Sequence, residues 1–435
     1  MRSVRARRAA MIGSAALLLI APGAALAHAE PATPAPAAAL PADLISAIQR
    51  DLGLSPDQYL DKAEAGQKLV AFANTMRGKF PESFAGAWLD PAGSPLIGLA
   101  DGPGREEAAA AVESAGYRVK DLPRSERALR DQLGHLNNWI EKLPAPLSGL
   151  IGGAAIDTVN NDVVLRVQNT AEGQGLALPD FLESARVVLA PALGSSAPPA
   201  VESPVRADAR LGGDSYAAEK AVKPNGAFRC SLGFNGTDGS GRAVNISAGH
   251  CDPNRAEAGT GAASVAFEMR GNNFGNRFGT FAKSTVEGLD YSVIRIDDAA
   301  AQRFENNFVR APGAAPVPIT GTADPVVGAP VCKSGLTTGF SCGTINSVNQ
   351  IVDVGTRTLK NGFTANICAL QGDSGGAIVT GTRALGISSA SNVGDLMFCE
   401  VASVVTTLVG DSPQLYATPI NDVLAANPGL KVRTN

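Results

Sequence analysis

The sequence predicts an α+β N-terminal segment followed by an all-β domain, and three observations carry that reading. Apolar positions repeat at helical spacing in residues 28–200 and at a period of two beyond about residue 210. Between these halves, from Ala190 to about Ala209, runs a stretch of Pro, Ala and Ser with little periodicity, including Gly194-Ser195-Ser196-Ala197-Pro198-Pro199. All six cysteines, Cys230, Cys251, Cys332, Cys342, Cys368 and Cys399, fall in the second half. Among 435 residues, 45% are hydrophobic and 18% charged, with 48 Gly and 28 Pro. Such a chain is too apolar for a disordered protein and has too many backbone breakers for a helical bundle. The formal net charge of -4 gives no basis for a nucleic-acid or anionic-membrane partner.

The elements follow in order. Arg2, Arg5, Arg7 and Arg8 precede an apolar run from Ala9 to Ala21, and Ala25-Leu26-Ala27 is a small-residue cleavage site. Residues 1–27 are therefore expected to be a secretory signal peptide and the protein to be secreted. The apolar run is shorter than the roughly 20 residues that span a bilayer, so no membrane anchor is expected. Leu44, Ile45, Ile48 and Leu52 share a helix face, and Ser55-Pro56-Asp57-Gln58 carries a cap, a first-turn Pro and a capping-box Gln. Leu129, Leu133, Leu136, Trp139, Ile140 and Leu143 form a second stripe. Strand-like hairpins at Phe84–Leu99 and Gly153–Val167 read as copies, since Gly86-Ala87-Trp88-Leu89-Asp90 aligns without gaps on Gly153-Ala154-Ala155-Ile156-Asp157. Glu113-Ser114-Ala115 echoes Glu183-Ser184-Ala185, and the segment is read as a duplicated α+β module.

Past the linker, Cys230, Leu232 and Phe234 alternate, Gly236–Gly241 turns, and Val244, Ile246 and Ala248 alternate again, which is a hairpin. Short strands between Gly-rich turns continue to about Ile387, favouring a β sandwich or a pair of barrels. Ile420, Val423 and Leu424 close the chain at helical spacing, as a packing helix. An even cysteine count in an exported chain reads as disulfides. Sequential pairing, Cys230–Cys251, Cys332–Cys342 and Cys368–Cys399, closes three short loops and is favoured. A zinc site competes weakly, because the spacings lack a close CxxC pair and one His accompanies them. No metal and no cofactor is expected.

The chemistry-bearing residues come in the order His, Asp, Ser. His250, in Ser247-Ala248-Gly249-His250-Cys251, is the histidine of the cysteine-bearing half, and imidazole suits proton transfer from a serine. Ser374, in Gly372-Asp373-Ser374-Gly375-Gly376, is flanked by glycines that let amide N–H groups converge on a developing oxyanion. Asp290, in Gly288-Leu289-Asp290-Tyr291, precedes an apolar strand and is placed to orient the imidazole. The Gly-x-Ser-x-Gly string also fits the elbow of α/β-hydrolases, but there a histidine follows the serine, and none follows Ser374.

These motifs, with Cys230-Ser231-Leu232-Gly233-Phe234 and Ala384-Leu385-Gly386-Ile387-Ser388-Ser389, resemble the bacterial chymotrypsin-like serine proteases of the streptogrisin and alpha-lytic type over about Leu211–Leu424. The resemblance implies two six-stranded antiparallel β-barrels, trypsin-like, with the triad at their junction. It implies a serine endopeptidase acting on polypeptides, with an oxyanion hole made by the N–H groups of Gly372 and Ser374. The domains are then a signal peptide (1–27), an α+β pro-region (28–192), a linker with the processing site (193–210) and a protease domain (211–435). The pro-region would act as folding aid and inhibitor of a monomeric enzyme made as a proenzyme.

A carboxylate at Asp373, next to the nucleophile, needs a buried partner. Val331-Cys332-Lys333-Ser334-Gly335 stands where the family carries Val-Cys-Arg-Ser-Gly, so Lys333 is the expected partner. Pocket walls are expected at Cys368–Gln371 on one side, Gln371 included, and at Ser389, Ala390 and Ser391 on the other. Ala390 and Ser391 replace the family's glycines and point to small or medium apolar residues before the scissile bond, not basic ones. The rival reading is a catalytically silent binding protein on the same fold; three intact triad motifs argue against it.

Overall fold

A computed structural model of the chain describes residues 40–144, 147, 150–168, 186–190, 208–222, 226–271, 273–311, 315–353, 358–393, 399 and 412–435. The expected signal peptide, most of the expected linker and the Glu183-Ser184-Ala185 echo lie outside these residues.

Helix α1 (Ala42–Leu52) buries Leu44, Ala47 and Ile48 and stops at Gly53, whose φ of 64° is left-handed. Helix α2 (Pro56–Lys79) starts where its cap is complete: Gln58 N–H donates to Ser55 Oγ at 3.2 Å and Ser55 N–H donates to Gln58 Oε1 at 2.9 Å. A three-stranded sheet follows, β1 (Phe84–Leu89), β2 (Pro95–Leu99) and β3 (Arg118–Asp121), with α3 (Arg105–Ser114) crossing over to make β3 parallel to β2. Helix α4 (Glu126–Ile140) then leads into β4 (Ile151–Asp157), β5 (Asp162–Gln168) and β6 (Arg186–Ala190). Here too a hairpin is followed by a parallel third strand. Both hairpins are irregular at the same place, before Gly86 and before Gly153, with φ values of 128° and 145°. The repeated sequence thus folds twice into one β–β–parallel β unit.

The all-β half contains two six-stranded rings. The first uses β7 (Ser215–Glu219), β8 (Phe228–Ser231), β9 (Phe234–Thr237), β10 (Ala243–Ser247), β11 (Val265–Arg270), β12 (Asn273–Thr285) and β13 (Tyr291–Ile296). The alternating run through Cys230, Leu232 and Phe234 is not one continuous hairpin arm. It bends at Leu232-Gly233, so β8 pairs with β7 while β9 pairs with β10, and the bent strand closes the ring. Only glycine fits this corner: a Cβ on Gly233 would lie 2.1 Å from Ile246 O and 2.7 Å from Gly375 O.

Short strands β14 (Phe308–Val309), β15 (Val317–Pro318) and β16 (Gly321–Thr322) connect to the second ring. That ring comprises β17 (Pro330–Gly335), β18 (Gly339–Asp353), β19 (Thr358–Ala365), β20 (Ala377–Thr380), β21 (Arg383–Ser391) and β22 (Leu415–Pro419), and closes through β17–β18 pairing. Two short helices, α5 (Ala301–Phe304) and α6 (Ile420–Ala425), bury Phe304 and Ile420 with Val423. The final strand β23 (Lys431–Val432) adds to β9.

The N-terminal segment is docked on the second ring. Strand β4 pairs antiparallel with β18 through Val348↔Ile156 and Ile351↔Ala154, making one sheet from both halves. Helices α1 and α2 lie on β17, β18 and the β20–β21 turn. Cys342 N–H donates to Asp51 at 2.8 Å, Gly381 N–H donates to Tyr59 Oη at 3.0 Å, and Arg383 pairs with Glu64 at 3.0 Å. Tyr59 is completely buried there. Among the described residues no helix is long and apolar enough to cross a membrane.

Candidate active site

His250 sits on a single 3-10 turn, Gly249–Cys251, just after β10. The turn is anchored on both sides. The disulfide Cys230–Cys251 ties it to β8, and a Cβ on Gly249 would be 1.9 Å from Thr285 O, so the backbone is pressed against β12. Asp290 precedes β13, whose last pairing with β10 is Ser247↔Ser292; two residues before Ser292, the carboxylate faces the turn. It is wholly buried and grips the histidine twice, accepting His250 N–H on Oδ1 at 2.9 Å and bonding Nδ1 through Oδ2 at 2.6 Å. That arrangement holds the proton on Nδ1 and leaves Nε2 as the proton acceptor.

Two further groups hold Asp290, one at its carboxylate and one at its backbone N–H. Ser389 Oγ donates to Asp290 Oδ2, and Asp290 N–H donates to Thr418 Oγ1 at 3.2 Å. Both come from the second ring and reach across the junction. Ser389, expected on a pocket wall, commits its hydroxyl to Asp290. The cause is a bulge in the β21–β22 ladder between Ser388 and Ala390, which aims the extra residue toward the carboxylate. Ala390 and Ser391 remain partly exposed and Gln371 exposed. Ala390 packs on Val352, Leu359 and Tyr416.

Ser374 is partly exposed on the loop before β20, its backbone locked to the first ring. Ser231 N–H donates to Ser374 O at 2.8 Å, Ser231 Oγ donates to Gly372 O at 2.7 Å, and Cys251 Sγ lies 3.8 Å from Ser374 O. Ser231 thus fixes the Gly372–Asp373 and Ser374–Gly375 peptides on either side of the Asp373-Ser374 pair, a role its place in the Cys230–Phe234 motif did not announce. Among the described residues no hydrogen bond joins Ser374 Oγ to His250, an arrangement common before substrate arrives. Gly372 has φ 101°, and among the described residues no carbonyl accepts the N–H of Gly372 or of Ser374.

Asp373 is buried with Lys333, Nζ 3.6 Å from Oδ2. Its oxygens are bonded mainly by others: Thr337 N–H (2.8 Å) and Thr338 N–H (3.0 Å) on Oδ1, Leu370 N–H (2.9 Å) and Thr338 Oγ1 (2.6 Å) on Oδ2. Complete burial pulls the Lys333 ammonium below the ordinary lysine range, opposed by Asp373 and by Asp51 of the N-terminal segment.

The cysteines pair as Cys230–Cys251, Cys332–Cys342 and Cys368–Cys399. His250 lies close to Cys230 and Cys251, the one grouping among the described residues with metal-ligand proximity, but both sulfurs are held in a disulfide and are not thiolates.

Two β-rings meeting at a His–Asp pair and a glycine-flanked serine define a chymotrypsin-like serine endopeptidase. Residues 224–408 match the trypsin family. The chain is 34% identical over 181 residues to serine protease 2 of Streptomyces fradiae, covering 40% of this chain and 94% of that protein. It is 29% identical over 403 residues to streptogrisin-C of Streptomyces griseus, covering 90% of this chain and 79% of that protein. Among solved structures, Thermobifida fusca protease A is 30% identical, with 52% of this chain and 100% of that chain covered and a TM-score of 0.39. The chain belongs to the trypsin family.

Proposed function

We propose that the protein is a secreted serine endopeptidase, made as a proenzyme, in which Ser374 is the nucleophile. His250 Nε2 takes the Ser374 hydroxyl proton as Oγ attacks the peptide carbonyl, and the N–H groups of Gly372 and Ser374 stabilise the oxyanion. His250 then returns the proton to the leaving amine, and water releases the acyl group by the same steps. Asp290 keeps the imidazole in the required tautomer and stabilises its cation. The observation that carries this reading is the double grip of Asp290 on His250. Labelling with a fluorophosphonate tests it: modification is expected at Ser374 in the processed enzyme and absent from Ser374→Ala, and an unmodified Ser374 in processed, folded protein overturns it.

Residues 28–192 form the pro-region in this proposal and 211–435 the working enzyme, a monomer, with the cut in the 193–210 stretch. The β4–β18 pairing and the burial of Tyr59 support a templating and inhibitory role, since both are contacts a partly folded second ring could build upon. Ala390 and Ser391 narrow the wall of the pocket relative to glycines, and small or medium apolar residues are expected before the scissile bond. Digestion of a peptide library checks this; fastest cleavage after Arg or Lys overturns it.

A further inference from the structure

The charge pair behind the nucleophile is not closed by its two charges. Lys333 is entirely buried and Asp373 nearly so, yet their nearest atoms are 3.6 Å apart, beyond the length of a charge-assisted hydrogen bond. Thr338 occupies the gap. Its hydroxyl donates to Asp373 Oδ2 at 2.6 Å and accepts from Lys333 Nζ, whose other partner is Gly339 O at 3.1 Å. A hydroxyl can accept and donate at once, whereas an ammonium on a flexible stem offers no planar fork to a carboxylate.

Resting on the mechanism proposed above, we propose that Thr338 is a positioning residue whose hydroxyl bridges Lys333 to Asp373 and so holds the Gly372–Ser374 backbone in its oxyanion-binding geometry. Asp373 is the middle residue of that tripeptide, so rotation of its side chain would turn the two peptides beside it. The site leaves little room for the carboxylate to settle elsewhere, because a Cβ on Gly335 would be only 2.6 Å from Asp373 Oδ1. Withdrawing the hydroxyl leaves the ammonium and the carboxylate each short of one partner in a site closed to solvent.

Steady-state kinetics of the processed enzyme on a peptide amide test this, with active sites counted by fluorophosphonate. Thr338→Val keeps the branched shape and removes the hydroxyl. It is expected to lower kcat by about tenfold or more with KM changed less than about twofold, the signature of donors that act in the transition state. Thr338→Ser is expected to restore most of kcat. Adding Lys333→Arg to Thr338→Val is expected to recover part of it, because a guanidinium can reach the carboxylate directly and with two donors. Wild-type kcat in Thr338→Val, equal impairment in Thr338→Ser, or no recovery with Lys333→Arg each overturns the bridge. If Thr338→Val does not fold, Thr338→Ala is compared with Thr338→Ser, and equal kcat in those two overturns it. Failure of the underlying mechanism is recognised separately, by a wild-type enzyme that fluorophosphonate does not label at Ser374.

Discussion

Gly249 sets the tolerance of the His250 turn. With Thr285 O and Tyr291 O at 1.9 and 2.6 Å from where a Cβ would stand, any side chain forces the turn outward. Gly249→Ala is therefore expected to cost about 1–3 kcal/mol of stability and most of the activity, read by denaturant midpoint and by kcat. Under the proposed mechanism Asp290→Asn leaves the packing but presents the wrong tautomer, and kcat should fall by about 10⁴-fold with KM little altered. At this scale, the proposed triad of His250, Asp290 and Ser374 could be read from the sequence because each sits in a short motif and their order along the chain discriminates between folds. Ser389, Ser231 and Thr338 could not. Their hydroxyls act through partners about 99, 141 and 35 positions away, and the direction of Ser389 depends on a bulge that alternation of polarity does not encode.

Among the elements, helix α4 carries the most informative charge. Glu126 at its first turn is held by Arg77 and Arg130. Burial disfavours its charge, but the two guanidinium groups more than offset that and hold its carboxyl below the usual glutamate range. The native value is depressed, so the stabilisation is full above the ordinary glutamate range and is lost as pH falls through the native value. Glu126→Gln should destabilise the unprocessed protein by about 2 kcal/mol at neutral pH, with the difference shrinking as the solution is acidified. Urea titrations at several pH values check this. Helix α2 supplies a second case: Tyr59→Phe removes the acceptor of Gly381 N–H and the hydroxyl contact with Cys332 Sγ at 3.7 Å, and under the proposed maturation should weaken inhibition by the released N-terminal segment by about tenfold. Assay of the processed enzyme with that segment added in trans measures it. The helices themselves were legible from caps and stripes, as Ser55–Gln58 illustrates; where they dock was not, since nothing local in α1 or α2 names β17 or β18 as the neighbour.

For the whole molecule, both halves and their different periodicities were readable, and so was the repeated hairpin unit. What escaped was their union. The β4–β18 pairing joins residues nearly 200 positions apart, and such contacts leave no periodic trace in a chain. They also make folding slow, because distant strands must meet before any of them is stabilised. The two tryptophans give a direct readout: Trp88 is buried beside Val327 of the protease half, and Trp139 lies on α4. Under the proposed maturation both leave with the N-terminal segment, so tryptophan emission should vanish from the purified mature enzyme while activity appears. Retention of both residues in fully active covalent chains counts against that maturation.

The junction strand also suits the separation that the proposed maturation requires. Its two rungs flank Asn349, whose φ of 54° kinks β18 where β4 rests. Once β4 departs, the bared rim is crooked and short, offering a poor template for stray chains to zip onto. Under the proposed maturation, an enzyme that sheds its scaffold would in this way remain a solitary particle instead of recruiting its own kind into fibrils.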